Sequence, residues 1–179
     1  LSGPAPSRGV RRVDGVDRGK MGGGGMLKLY RFEDEKKKYW ETWEEEDGSY
    51  TVHEGSLGKK GNSTVVRGSL FRKAAKKVQA MALKKRKEGF APIALEAHHV
   101  LLIEFEVDGF GTPEDVEKRY RLQERMDNVL GWAGLGHCDG GSIGSGTMEA
   151  CCYVVDFSLA KAVIERNLAN TEFKDYTRI

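Results

Sequence analysis

The chain has 179 residues, 31% of them charged and 39% hydrophobic, with a formal net charge of +2, a length that fits one medium domain or two small ones. No apolar run approaches the ~20 residues needed to cross a bilayer, and the N-terminus lacks the ~7–15-residue apolar core of a signal peptide. No membrane partner is expected. Cys138, Cys151 and Cys152 form neither an even framework nor a Cys-x-x-Cys pair, so the reading is a reduced chain in the cytoplasm.

The near-neutral total hides an uneven distribution. Residues 1–25 carry five basic side chains against two acidic, residues 26–91 carry 16 against 10, and residues 92–179 carry eight against 15. A basic module followed by an acidic one points to different partners for the two, or to attraction between them. Residues 1–25 hold Pro4, Pro6, scattered arginines and Gly22 to Gly25 with few apolar residues. Burial there cannot offset the entropy of ordering, so a disordered extension is expected.

From Met26 the pattern is globular. Strands are expected over Leu27 to Phe32, Tyr39 to Glu45, Tyr50 to His53 and Ser63 to Val66, with Asp47-Gly48 and Gly61-Asn62 as turns. Alternation places Tyr39, Glu41 and Trp43 on one face and Trp40, Thr42 and Glu44 on the other, so each face carries an aromatic anchor. Ser69 is a candidate cap for a helix over Leu70 to Lys87, with Phe71, Ala74, Ala75, Val78, Met81 and Ala82 on one stripe. Its other side holds Arg72, Lys73, Lys76 and Lys77, and its end holds Lys84 to Lys87. From Gly55 to Lys87 there are eleven basic residues and no acidic one. Cations in the last turn also complement the helix dipole.

An aromatic strand, a turn with glycines at 55, 58 and 61, a further strand and a basic helix ending at Gly89-Phe90 together resemble a WGR domain over residues 27–91. In poly(ADP-ribose) polymerases that domain's Trp and Arg help to engage a DNA end. Here Glu54-Gly55-Ser56 stands in place of Trp-Gly-Arg. Glu54 repels phosphate and Ser56 only hydrogen-bonds, so phosphate contact falls to Lys59, Lys60, Arg67, Arg72, Lys73, Lys76, Lys77 and Lys84. Such point charges support salt-dependent, sequence-independent binding of DNA or RNA. Glu44, Glu45, Glu46 and Asp47 would push phosphate from their own edge.

A boundary is expected near Pro92, followed by a connector to His99 and a strand over Val100 to Val107. Thr112, Pro113 and Asp115 form a capping-box-like helix start, and the helix should run to about Leu130. The glycine-rich passage from Gly131 to Gly146 lacks the Gly-Lys-Ser/Thr of a P-loop and precedes a strand rather than a helix. It reads as a bent or bulged strand pair. A strand over Met148 to Val155, capping candidates Asp156 and Ser158, a helix over Leu159 to Leu168 and a last strand over Phe173 to Thr177 complete the order βαββαβ. That order is ferredoxin-like, and the whole is an α+β chain with domains at 26–91 and 92–179.

Catalysis has thin support. His137, Cys138, Asp139 and Glu149 flank the glycine-rich turn, but adjacent residues of a strand point to opposite faces. His98-His99 and Cys151-Cys152 lack the spacing of metal ligands. The reading is a non-enzymatic nucleic-acid-binding or sensing protein with no cofactor and no metal. The alternative is an immunity or regulatory module whose acidic C-terminal domain engages a basic protein.

Overall fold

The structure, a computed structural model, describes residues 25–33, 36–70 and 73–179. The expected N-terminal extension, except Gly25, lies outside the described residues, as do Phe71 and the candidate site residue Arg72. The architecture is α+β. Strands β1 (Leu27–Glu33), β2 (Lys36–Glu44), β3 (Tyr50–Ser56) and β4 (Asn62–Val66) form an antiparallel meander in sequence order.

The pairing of β1 with β2 sets Leu29 beside Trp40, and that of β2 with β3 sets Thr42 beside Val52. This face receives helix α1 (Ala74–Lys87), and Leu29, Trp40, Val52, Val78, Ala82 and Phe90 form its core. The helix starts later than its sequence pattern suggests. Lys73 occupies the N-cap without a side-chain hydrogen bond, so Ser69 does not cap it, and Ala75 is exposed rather than part of the buried stripe. At its end Gly89 adopts a positive φ, and Phe90 N–H donates to Lys85 O while Gly89 N–H donates to Arg86 O, which is a Schellman close. The chain then returns along β1, where Tyr30 and Ala91 exchange both backbone bonds at 2.8 Å.

The second half comprises β5 (His99–Glu106), α2 (Pro113–Trp132), β6 (Gly136–Gly144), β7 (Thr147–Val154) and α3 (Phe157–Leu168), with sheet order β5-β7-β6. Thr112 and Asp115 form the expected capping box, and Asp156 caps α3 through Leu159 N–H. The glycine-rich strand pair carries the expected bulge, between Cys138 and Gly141.

Phe173 to Thr177 is the exception, because it forms turns rather than a strand. Arg121 holds Glu172 and Lys118 holds Asp175, pinning the segment to α2, while Phe173 is buried. The segment reaches the sheet at its end, where Thr177 N–H donates to Glu104 O at 2.7 Å and Arg178 bridges Glu104 on the free edge of β5. With that bridge as a vestigial fourth strand the order is 4-1-3-2 in the numbering of the second half, the ferredoxin-like arrangement with both helices on one face.

The two sheets share a core. Tyr30, Tyr39 and Leu57 of the first half join one buried cluster with Leu101, Leu130, Leu135, Val155 and Ile164 of the second. The contact is made at the end of α2, which closes by a Schellman motif of its own: Leu135 N–H donates to Leu130 O at 2.9 Å and Gly134 N–H to Gly131 O at 3.0 Å. Gly134 has φ +71°, and a Cβ there would sit 2.2 Å from the Tyr39 ring. Glycine at 134 thus serves both the helix close and the approach of the first sheet. Gly134→Ala combines overpacking with an unfavourable φ, so we expect a loss of at least about 1–3 kcal/mol, read as a lowered urea midpoint.

Candidate functional site

The face of the first sheet opposite α1 carries Lys28, Tyr30, Tyr39, Glu41, Trp43 and His53, the set fixed by the Lys28/Glu41, Tyr30/Tyr39 and Glu41/His53 register. On it runs a buried polar chain. Lys28 Nζ lies 3.2 Å from Glu41 Oε2, and His53 Nδ1 lies 2.8 Å from Glu41 Oε1. His53 Nε2 in turn lies 3.1 Å from the Tyr39 hydroxyl. The side chains of Glu41 and His53 are wholly buried. Each of these polar groups has a partner, as burial requires.

The Tyr39 hydroxyl also reaches Lys59 O at 3.2 Å and Trp132 O at 3.1 Å. It therefore holds the 57–61 turn and the end of α2 at one point. Gly58 N–H donates to Ala133 O at 2.9 Å, so two C-terminal carbonyls of α2 find donors in the first half. The glycines of the turn answer to the same junction. A Cβ on Gly61 would lie 2.2 Å from Glu54 O and 2.4 Å from the Tyr39 hydroxyl, and Gly58, at φ +81°, faces the Leu159 side chain. Lys37 adds an ion pair with Asp156 at 2.5 Å.

Lys59 and Lys60 project from this turn and are exposed. Lys60 Nζ stands over the Trp132 ring, 5.9 Å from its centroid. Trp43 and His53 meet Trp132 edge-on at 6.3 and 5.0 Å. On the other face of the sheet, Lys73, Lys76, Lys84 and Lys87 are all exposed along one side of α1, a helix with no acidic residue.

The structure divides the expected cationic set rather than gathering it. Arg67 is exposed, its carbonyl accepts from Lys77 Nζ at 2.9 Å, and it lies near the start of α1. Asp47 is held below the usual carboxylate range chiefly by hydrogen bonds from Ser49, with a smaller pull from Arg67. At the other end Lys85 bonds Glu54 and Lys84 lies 3.9 Å from Glu88. The 14 residues of α1 put about 21 Å between these ends. Lys59 and Lys60 belong to the Glu54 end, since Glu54 pairs with Asn62 just beyond the turn.

The residues weighed for catalysis are dispersed. His137 stacks on Tyr153 at 5.3 Å on the helix-free face of the second sheet, while Cys138 is buried on the helix side. Hydrogen bonding to Cys152 and burial push the Cys138 thiol well up, away from a reactive thiolate. Glu149 accepts from Ser142 at 3.0 Å, four residues along β7 from Tyr153, the partner of His137. Among the described residues no group of three His, Cys, Asp or Glu side chains is placed to hold a metal, and no helix is long and apolar enough to cross a membrane.

Sequence reasoning did not single out Trp132 or His53. Trp132 follows Gly131 in a glycine-rich run that draws attention to its backbone, and His53 sits in a strand otherwise marked by Gly55. Only the Tyr39, Glu41, Trp43 alternation signalled this face. Comparison with protein-family models, with curated proteins and with solved structures finds no match for the chain.

The ion pair across the junction responds to acid. Burial alone would raise the Asp156 carboxyl, but the Lys37 hydrogen bond, the Leu159 N–H and the Lys37 charge together hold it below its ordinary value. Its stabilising effect is complete above the unfolded carboxyl pKa of about 3.9 and is lost as pH falls through the lower folded value. Urea midpoints of the parent and Asp156→Asn should differ at pH 6 and converge towards pH 2.

Proposed function

We infer that the chain is a non-enzymatic nucleic-acid-binding protein whose first half is a WGR-like module contacting phosphates. The observation that carries this reading is the exposed row Lys73, Lys76, Lys84 and Lys87 on α1, a helix with six basic and no acidic residues. Packing uses the opposite side of the helix through Ala74, Val78 and Ala82. The turn cations Lys59 and Lys60 extend positive charge to the junction end of the sheet. Lysine ammoniums hold phosphate as point charges, which gives affinity without base sequence. Glu54 does not cancel this field at the turn, because Lys85 neutralises it.

Lys59→Ala with Lys60→Ala should weaken binding to fluorescent DNA and RNA and lower the slope of log K against log salt by about two. Lys76→Ala with Lys84→Ala should do the same if the helix row shares the phosphate path. Absence of binding to any probe at low salt would refute the reading.

A second reading draws on the helix-free face of the second sheet. Val100 and Leu102 are 56% and 40% exposed there, with Glu104 and Glu149 on the same face. Together with the net negative charge of residues 92–179, this suits a basic protein partner docking on the sheet. Leu102→Lys should then abolish capture of that partner and leave nucleic-acid affinity unchanged, as measured by pull-down beside anisotropy.

A further inference from the structure

We propose that Trp132 is a stacking platform for one unpaired nucleobase, so that the nucleic-acid site is shared between the two halves of the chain and selects single-stranded over base-paired ligand. The proposal rests on the phosphate-binding reading and names the form of nucleic acid that the junction accepts.

Three observations converge on the indole. Trp132 is half-buried, and its neighbour Lys60 is exposed, whereas its other neighbour His53 is wholly buried. Of these two neighbours only Lys60 is exposed, and the ligand is placed on its side of the ring. At 5.9 Å the ammonium sits at the outer reach of a cation–π contact, which a flexible lysine gives up at little cost. A base entering over the ring replaces a weak contact with a full stack, and the displaced ammonium is then free to pair with the adjoining phosphate.

The ring is also held in advance. Trp43 and His53 meet it at interplanar angles of 78° and 74°, and the residue's own carbonyl accepts the Tyr39 hydroxyl. A side chain held by two neighbouring rings loses little freedom when a ligand stacks on it. The charges give the strand a direction. Lys59 and Lys60 lie at one end of the first sheet, and Glu44, Glu45 and Glu46 at the other, where Thr51 donates to Glu45. Phosphates are drawn towards the turn, with a base left to reach the indole. Bases inside a duplex are stacked on each other and cannot reach it, so the platform rewards only a strand that offers an unpaired base.

The test uses the intact chain and two labelled oligomers of equal length and charge, one of thymidines and one of abasic sugar phosphates. The thymidine oligomer should bind roughly tenfold more tightly at low salt, in the lower part of the range for one base on an aromatic side chain. Trp132→Leu should erase that preference while keeping the salt-dependent binding of both oligomers, and Trp132→Phe should retain most of it. Equal affinity of the unaltered chain for the two oligomers would overturn the platform and leave phosphate binding intact. A preference that survives in Trp132→Leu would likewise overturn it. If neither oligomer binds at low salt, the phosphate reading itself falls, and the platform with it.

Discussion

A single phenol hydroxyl organises the junction between the halves of this chain. Tyr39 lies within hydrogen-bonding distance of a buried imidazole, a carbonyl of the glycine turn and a carbonyl at the end of α2. It has one proton to donate, so the arrangement depends on how His53 shares its own with Glu41 on one side and the phenol on the other. Burying such a chain is costly unless every member is paired. The pairing here is supplied by three strands and a helix at once, which explains why those elements meet where they do.

The glycines around the hydroxyl follow from the same constraint. Gly61 and Gly134 approach Tyr39 so closely that a methyl group on either would collide with it. The turn that presents Lys59 and Lys60 is thus shaped from beneath by packing, and its cations are placed by a contact that is not itself cationic. Structure and proposed binding are linked at this point: the second half holds the turn by the Gly58 to Ala133 bond and sets an indole beside it.

The charge pattern acquires a different meaning once folded. Eleven cations between Gly55 and Lys87 read as one basic segment, yet the sheet splits them between its two ends, and several meet carboxylates. Lys85 bonds Glu54, Lys84 approaches Glu88, and Arg67 helps to hold Asp47 ionised. Counting charge along a chain cannot anticipate this, because neutralisation depends on which residues the register sets side by side. The row on α1 persists because helical periodicity, unlike strand register, is a local property.

Local rules made much of the fold legible. Alternation placed Trp40 and Tyr39 on opposite faces, Thr112, Pro113 and Asp115 marked the start of α2, and the glycines after Trp132 marked a bulged strand pair, all set by near neighbours in sequence. Local rules failed at Phe173 to Thr177, where a strand-like composition was overruled by ion pairs from α2 more than 50 residues away. They failed again at Trp132, which sits 93 residues from Tyr39 and whose neighbourhood is assembled from both halves. The sequence by itself determined most of the strands and helices, the caps of α2 and α3 and the basic character of α1. Only the tertiary structure decided which cations remain available and which aromatic ring stands beside them, because those are matters of long-range register and of what a buried phenol can reach.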